Sequence, residues 1–174
     1  MSTPRLAVAL AVLAVLGGCA GAPQTSTPEA DATVLVSNDG DTAYRASVFV
    51  VTEPLDGVRV AGANGTNRTF DVERLAAVPP VALGNATAVE PLDDGRRVWR
   101  VTVQPETGVS KSFADVPANA TVVWSLRRAG APSRPLRGWG TVTCGAEAGK
   151  LRLDVRVSAA GPVSADVTCR SAPS

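Results

Sequence analysis

The segment from Lys150 to Val157 alternates strictly between charged and apolar residues. Side chains point to opposite faces of a β-strand at each step, so this pattern places one face in a core and the other in water. A helix cannot arrange these residues in that way, because its apolar positions recur every three or four residues. The apolar set is Leu151, Leu153, Val155 and Val157, and the charged set is Lys150, Arg152, Asp154 and Arg156.

Period-two patterns recur along the chain and predict further short strands at Thr33–Ser37, Tyr44–Thr52, Arg97–Gln104, Thr121–Arg127, Trp139–Cys144 and Ser164–Cys169. Asn38–Asp41 carries turn chemistry and predicts a hairpin between the first two strands. Pro105–Lys111 is predicted to be a loop. Residues 53–92 show a broken pattern, which we interpret as short strands with a helical turn at Glu73–Ala77.

No convincing amphipathic helix interrupts these patterns in the 174 residues. Short strands separated by turns bury their apolar faces most economically in two packed sheets. We therefore predict an all-β fold, an antiparallel β-sandwich of about seven to nine strands that covers residues 33–170, followed by a tail at 171–174.

The chain has three cysteines, and the odd number favours one pair plus one residue with a separate role. Cys144 shares a strand face with Val142, and Cys169 shares one with Val167. If both valines face the core, the two cysteines meet inside the sandwich and form a disulfide. The alternative is a pair of buried free thiols.

An apolar run from Leu6 to Leu16 ends in Leu16-Gly17-Gly18-Cys19. The run is shorter than the roughly 20 residues that span a bilayer. Leu16–Cys19 resembles the lipobox of bacterial and archaeal secreted lipoproteins. The resemblance implies a signal peptide at 1–18, lipid attachment at Cys19, a membrane partner through that lipid, and a location on the extracellular face of the membrane. Residues 19–32 are rich in small and polar residues and proline and cannot bury a core, so their composition predicts a flexible linker. The alternative is an ordinary signal peptide cut near Ala20.

Four of the five asparagines lie in N-x-[ST] sequences, which are acceptors for N-glycosylation. Most of them fall at predicted turns, where a glycan would be accessible. The alternative is that asparagine marks turns and threonine begins strands. The candidate glycosylation sites are Asn64, Asn67, Asn85 and Asn119.

Charge and composition exclude several functions. Basic and acidic residues number 17 and 16, which argues against a nucleic-acid partner. The sequence has no histidine, so the usual general base and the commonest metal ligand are missing. We expect no catalytic residue, no cofactor and no metal. Asn38–Asp41 and Asp93–Gly95 have oxygen ligands for calcium, but a turn explains both more simply.

Two features near residue 139 are candidates for binding another surface protein or a glycan. Trp139 stands between two glycines, and it is either an exposed platform or a core anchor. Arg134 and Arg137 cluster with Arg127 and Arg128 around one loop, where they form either a binding patch or a solvated rim.

The strand pattern, with Asn38–Asp41 between the first strands and Phe113–Pro117 before another, resembles Ig-like or transthyretin-like domains of archaeal surface proteins. The low lysine content and the many N-x-[ST] sequences resemble those of haloarchaeal proteins. The alternative source is a high-GC bacterium. The Cys…Trp…Cys order of immunoglobulins is absent, because both sandwich cysteines follow Trp124 and Trp139.

These observations favour a membrane-anchored module that acts in binding or surface structure and is not an enzyme. A second hypothesis is an accessory subunit of a transporter or secretion complex, which would need an exposed apolar patch such as one at Trp139. A hydrolase is the third.

Overall fold

The structure is a computed structural model that describes residues 29–94 and 96–171. Within these residues the chain forms eleven strands, one 3-10 turn and one short helix. The strands are β1 (Glu29–Asn38), β2 (Tyr44–Val51), β3 (Val58–Gly62), β4 (Asn67–Phe70), β5 (Ala86–Pro91), β6 (Arg97–Val103), β7 (Thr107–Pro117), β8 (Thr121–Arg128), β9 (Gly138–Thr143), β10 (Ala148–Val157) and β11 (Val163–Ser171). The 3-10 turn is Leu75–Ala77 and the helix α1 is Pro80–Gly84.

Three sheets build the fold, and the all-β prediction is confirmed. The front sheet has the order β11-β10-β1-β7, the central sheet β6-β2-β8-β9, and the small sheet β4-β3-β5. Every pairing is antiparallel except that of β1 with β10, which is parallel. The strand count exceeds the predicted seven to nine because the small sheet is complete and β7 is a full strand.

Two hydrophobic cores hold the three layers together. The first lies between the front and central sheets, and the second lies between the central sheet and the small sheet. Alternation along β2 supplies both, since Ala46 and Val48 face the first core while Phe49 and Val51 face the second. Residues 53–92, whose pattern is broken in sequence, therefore form the cover over the outer face of the central sheet.

The predicted hairpin between β1 and β2 is wrong, because the two strands lie in different sheets. Asn38 explains the crossing. Its fully buried side-chain amide donates to the carbonyl oxygens of Thr42 and Gln104 at 2.9 and 3.0 Å, and its Oδ1 accepts from the Gly40 amide at 3.1 Å. Gln104 lies between β6 and β7, which also belong to different sheets. One buried amide thus joins the β1–β2 and β6–β7 connections, which both cross between the front and central sheets. We call this end of the sandwich the upper end.

β1 begins at Glu29, so residues 29–32, placed in the linker by composition, belong to the front sheet. Ala32 pairs with Leu151 on one side and Phe113 on the other, and its side chain is buried. Alanine and acidic residues have low strand propensity, which concealed this extension in the sequence. Glu29 pairs with Pro117 at the opposite, lower end of the sandwich.

The predicted loop at Pro105–Lys111 is also wrong from Thr107 onward, where β7 begins. β7 is an edge strand, and of its residues only Phe113 and Val116 are buried, so it lacks the apolar alternation of an inner strand. A register shift opposite Ala30 and Ala32 forms a bulge in which Asp115 has a φ of 54°. The guanidinium group of Arg97 donates to the carbonyl oxygens of Ala114 and Asp115 and ties β6 to this bulge.

A disulfide joins Cys144 to Cys169, as predicted, with a Cα–Cα distance of 5.8 Å. Cys144 follows β9 at the edge of the central sheet, and Cys169 lies in β11 at the edge of the front sheet. The bond therefore closes one side of the sandwich. Cys144 is buried, but Cys169 and Val167 are exposed, contrary to the expected core position. Cys169 is opposite Leu151 and Val167 is opposite Leu153. They share the face of these leucines, but β11 is an edge strand and every one of its residues after Val163 is exposed.

Replacing both cysteines by serine should lower the free energy of unfolding by about 3–4 kcal/mol in the chain-entropy model. The bond closes a loop between positions 25 residues apart, which restricts the unfolded chain. Urea unfolding of the wild-type and the double variant measures the loss. Adding reductant to the wild-type should reproduce it, and equal unfolding midpoints for all three samples would contradict the stabilising role.

Candidate functional site

The outer face of the central sheet is covered only in part. Its lower half carries Phe49, Val51 and Val123, which are buried under the small sheet in the second core. Its upper half is polar and carries Arg45, Arg127 and Thr102 in one row across three strands. The register sets this row, because Arg45 is opposite Thr102 on β6 and opposite Arg127 on β8. We call the set Arg45, Arg100, Thr102 and Arg127 the arginine face.

Arg45 and Arg127 are direct neighbours across the β2–β8 ladder. Arg45 is exposed and Arg127 is partly buried. Burial lowers the pKa of the Arg127 guanidinium, and the nearby charge of Arg45 lowers it further. Within residues 29–94 and 96–171 neither side chain has an acidic partner. Like charges opposite each other destabilise a sheet, so the pair has no structural benefit of its own.

Arg100 borders this pair and is already engaged. Its Nη2 donates to Glu90 Oε1 on β5 at 2.9 Å, and its guanidinium carbon lies 5.5 Å from the centre of the Phe49 ring. Arg45, Arg100, Val101 and Thr102 line an open cavity of about 160 Å³ beside it. The arrangement presents guanidinium and hydroxyl donors to solvent, which suits an oxyanion.

Trp139 is partly buried and packs against the second core, opposite the buried Ser125. Its flanking glycines serve the other face of β9. A Cβ atom at Gly140 would lie 2.7 Å from Nε1 of Trp124, and one at Gly138 would lie 3.2 Å from the same indole. The glycines make room for Trp124 in the first core, so Trp139 is a core anchor. It does not provide the exposed patch that the accessory-subunit hypothesis sought there.

The structure does not bring the two predicted loop arginines to Trp139. Arg134 is exposed in the loop between β8 and β9. Arg137 is also exposed and donates to the Gly161 carbonyl oxygen at 3.2 Å. Gly161 belongs to the turn between β10 and β11 in the front sheet, whereas Trp139 faces the small sheet. The two arginines therefore remain separate surface residues.

All four asparagines of the candidate glycosylation sites are exposed. Asn64 accepts hydrogen bonds from the backbone and the hydroxyl of Thr66 at 3.2 and 2.7 Å. Asn64 and Asn85 line one cavity of about 140 Å³ between the β3–β4 turn and α1, and Asn67 opens β4 nearby. Asn119 lies apart from them, in the turn between β7 and β8 at the lower end.

Cys19 and the predicted signal peptide lie outside the described residues. Within the described part of the chain, no helix has the length and apolar character to cross a bilayer. The same residues contain no cluster of three cysteine or acidic side chains suited to hold a metal ion. The large apolar side chains that are exposed there, Val81, Val98 and Val167, lie on three different elements.

The opposition of Arg45 and Arg127 cannot be read from local sequence pattern. Alternation along β2 assigns Arg45 to the face that it shares with Phe49, and this could be read from the sequence. The pairing with Arg127 depends on the β2–β8 register, which joins residues far apart in the chain. A grouping by sequence distance placed Arg127 with Arg134 and Arg137 instead.

A protein-family model described as halobacterial Ig domain protein matches residues 1–173. A comparison with curated proteins gives no match. Among solved structures, the T6SS lipoprotein TssJ1 from Pseudomonas aeruginosa is 9% identical over 84% of this chain and 100% of that one, with a TM-score of 0.42. Suilysin from Streptococcus suis is 10% identical over 83% of this chain, with a TM-score of 0.36. The chain spans only 24% of suilysin.

Gly140→Ala should destabilise the protein by about 1–3 kcal/mol, because the added methyl group overpacks the core at Trp124. Gly145→Ala is the matched control, since no atom lies within 4 Å of a Cβ built there. Urea unfolding, followed by tryptophan fluorescence, measures both variants. An unfolding free energy for Gly140→Ala equal to that of the control would show that the glycine is not required for packing.

Proposed function

The chain belongs to the halobacterial Ig domain protein family, and we propose that it acts as a lipid-anchored binding module on the outer face of the cell membrane. The observation that carries the proposal is the placement of two features at opposite ends of the sandwich. The chain enters the domain at the lower end, where Glu29 pairs with Pro117. The arginine face lies at the upper end, where β2 begins.

The distance between these ends follows from strand geometry. β1 contains 10 residues, and a strand rises about 3.3 Å per residue, so it spans about 33 Å. Cys19 precedes β1 in sequence, and the ten residues 19–28 that lead to Glu29 reach at most about 35 Å when fully extended. A lipid on Cys19 would hold the lower end near the membrane and present the arginine face away from it.

The available chemistry favours binding over catalysis. The sequence has no histidine, and both cysteines of the described domain are joined in the disulfide. The usual pairs of nucleophile and general base therefore cannot be assembled from these residues. The arginine face instead offers cationic donors on a sheet whose lower half is packed on both faces, which supports recognition of an anionic group.

Cys19→Ser should release the protein from the membrane, because the thiol that accepts the lipid is absent. Fractionation of cells into membrane and soluble material, with metabolic labelling by a lipid precursor, measures the change. Peptide mapping should still join Cys144 to Cys169 in the variant, which controls for folding. Membrane retention of an unlabelled Cys19→Ser protein would contradict the anchor.

Exposure of the four asparagines supports N-glycosylation of the native protein. Asn64→Gln should lower the intact mass of protein purified from its host by one glycan. Thr66→Ser, which preserves the acceptor sequence, is the matched control and should keep that mass. A native protein whose mass equals that of the mature chain plus lipid would contradict glycosylation.

A further inference from the structure

Arg45 and Arg127 form a pair of like charges on the central sheet that no acidic side chain of the described residues neutralises. They are directly opposed in the β2–β8 register, and among the described residues no carboxylate pairs with either of them. Adjacent strands lie about 4.8 Å apart, so the two side chains start from neighbouring points on the same face. A repulsive pair in such a place becomes favourable when an anion lies between the two guanidinium groups.

We infer that Arg45 and Arg127 together bind a side-chain carboxylate of an acidic partner protein. The inference rests on the binding role proposed above and specifies its chemistry. Guanidinium groups present planar, paired N–H donors that match the two oxygens of a carboxylate. Thr102, opposite Arg45 on β6, adds a hydroxyl group to the same row, and the cavity that it lines with Arg45 and Arg100 lies on the side of Arg45 away from Arg127.

Arg100 shows within this chain how the face accepts a carboxylate. Its Nη2 contacts Glu90 Oε1 at 2.9 Å, and Glu90 comes from the small sheet. The small sheet covers the lower half of the outer face and supplies this acid at its border. Arg45 and Arg127 lie beyond that border, where the chain provides no equivalent acid among the described residues. A carboxylate from another protein would complete the row.

An acidic protein suits this face better than an acidic polysaccharide. Sugar rings are commonly held by stacking on exposed aromatic side chains, which offer a large flat apolar surface. None of the seven aromatic side chains is exposed: Phe49, which Arg100 covers, is buried, and Trp139 packs against the second core. The face therefore offers charge and hydroxyl groups without a stacking platform.

The test uses the full chain in detergent micelles and a fluorescent peptide of eight glutamates, with an eight-glutamine peptide as the neutral probe. Fluorescence polarisation is measured at the lowest salt concentration at which circular dichroism shows the protein folded. Arg45→Gln/Arg127→Gln should weaken binding of the glutamate peptide at least tenfold. Arg68→Gln/Arg170→Gln removes the same charge from exposed strand positions elsewhere and should change binding by less than twofold.

Thermal unfolding separates loss of the site from loss of the fold. The Arg45→Gln/Arg127→Gln variant should melt at or above the wild-type temperature, because a repulsive pair has been removed. Equal peptide binding by this variant and the wild-type would overturn the inference. So would an equal loss in the control variant, or wild-type binding to dextran sulfate without binding to the glutamate peptide.

Crosslinking in native membranes, combined with the peptide-binding measurement, distinguishes failure of the inference from failure of the proposed function. If native membranes yield a crosslinked partner at the domain and Arg45→Gln/Arg127→Gln crosslinks it equally well, the binding role stands and the carboxylate site is wrong. If the wild-type protein gives neither a crosslinked partner nor peptide binding, both are wrong. Crosslinking that is lost only in Arg45→Gln/Arg127→Gln supports both.

Discussion

Burial of the central sheet on both faces is the constraint on which this structure depends. β2 and β8 contribute apolar residues to the first core through one face and to the second core through the other. Removing both faces from water stabilises the sheet strongly but requires two separate covers. The front sheet covers one face along most of β2 and β8. The small sheet covers only the lower half of the other face, so the uncovered half has a polar surface on a rigid support. The position of the arginine face follows directly from where that cover ends.

Local alternation predicted much of the architecture. The pattern from Lys150 to Val157 indicates a half-buried strand, and the structure buries Leu151, Leu153, Val155 and Val157. The two faces of β2 can also be assigned from the alternation in its sequence. The strands that pair with β2 cannot be predicted in this way, because strand pairing joins residues that are distant in the chain. This is why Asn38 looked like a hairpin residue and is instead a buried amide between two sheet crossings. β7 was missed for another reason, since an edge strand needs few apolar residues.

The candidate sites also divide into those that depend on local sequence pattern and those that depend on strand pairing. Exposure of asparagines at turns and pairing of the two cysteines depend on local pattern and residue count, and both predictions agree with the structure. Trp139 and the arginines depend on what lies across the sheet. The glycines beside Trp139 suggested an open platform, whereas they provide clearance for Trp124 on the opposite face. Arg127 belongs with Arg45, about eighty residues earlier, because the β2–β8 register joins them.

The parallel pairing of β1 with β10 has a consequence for how the molecule is made. β1 lies inside the front sheet, and its partner strand arrives roughly 120 residues later, where Asp31 pairs with Lys150. Until then one edge of the first strand has unpaired amides and carbonyls, which is a hazard for aggregation. Contacts at such separation also slow folding, because a long loop must close before they form. The domain therefore reaches its native topology only when nearly the whole chain is present. Its first strand obtains its second pairing partner only when one of the last strands has been made.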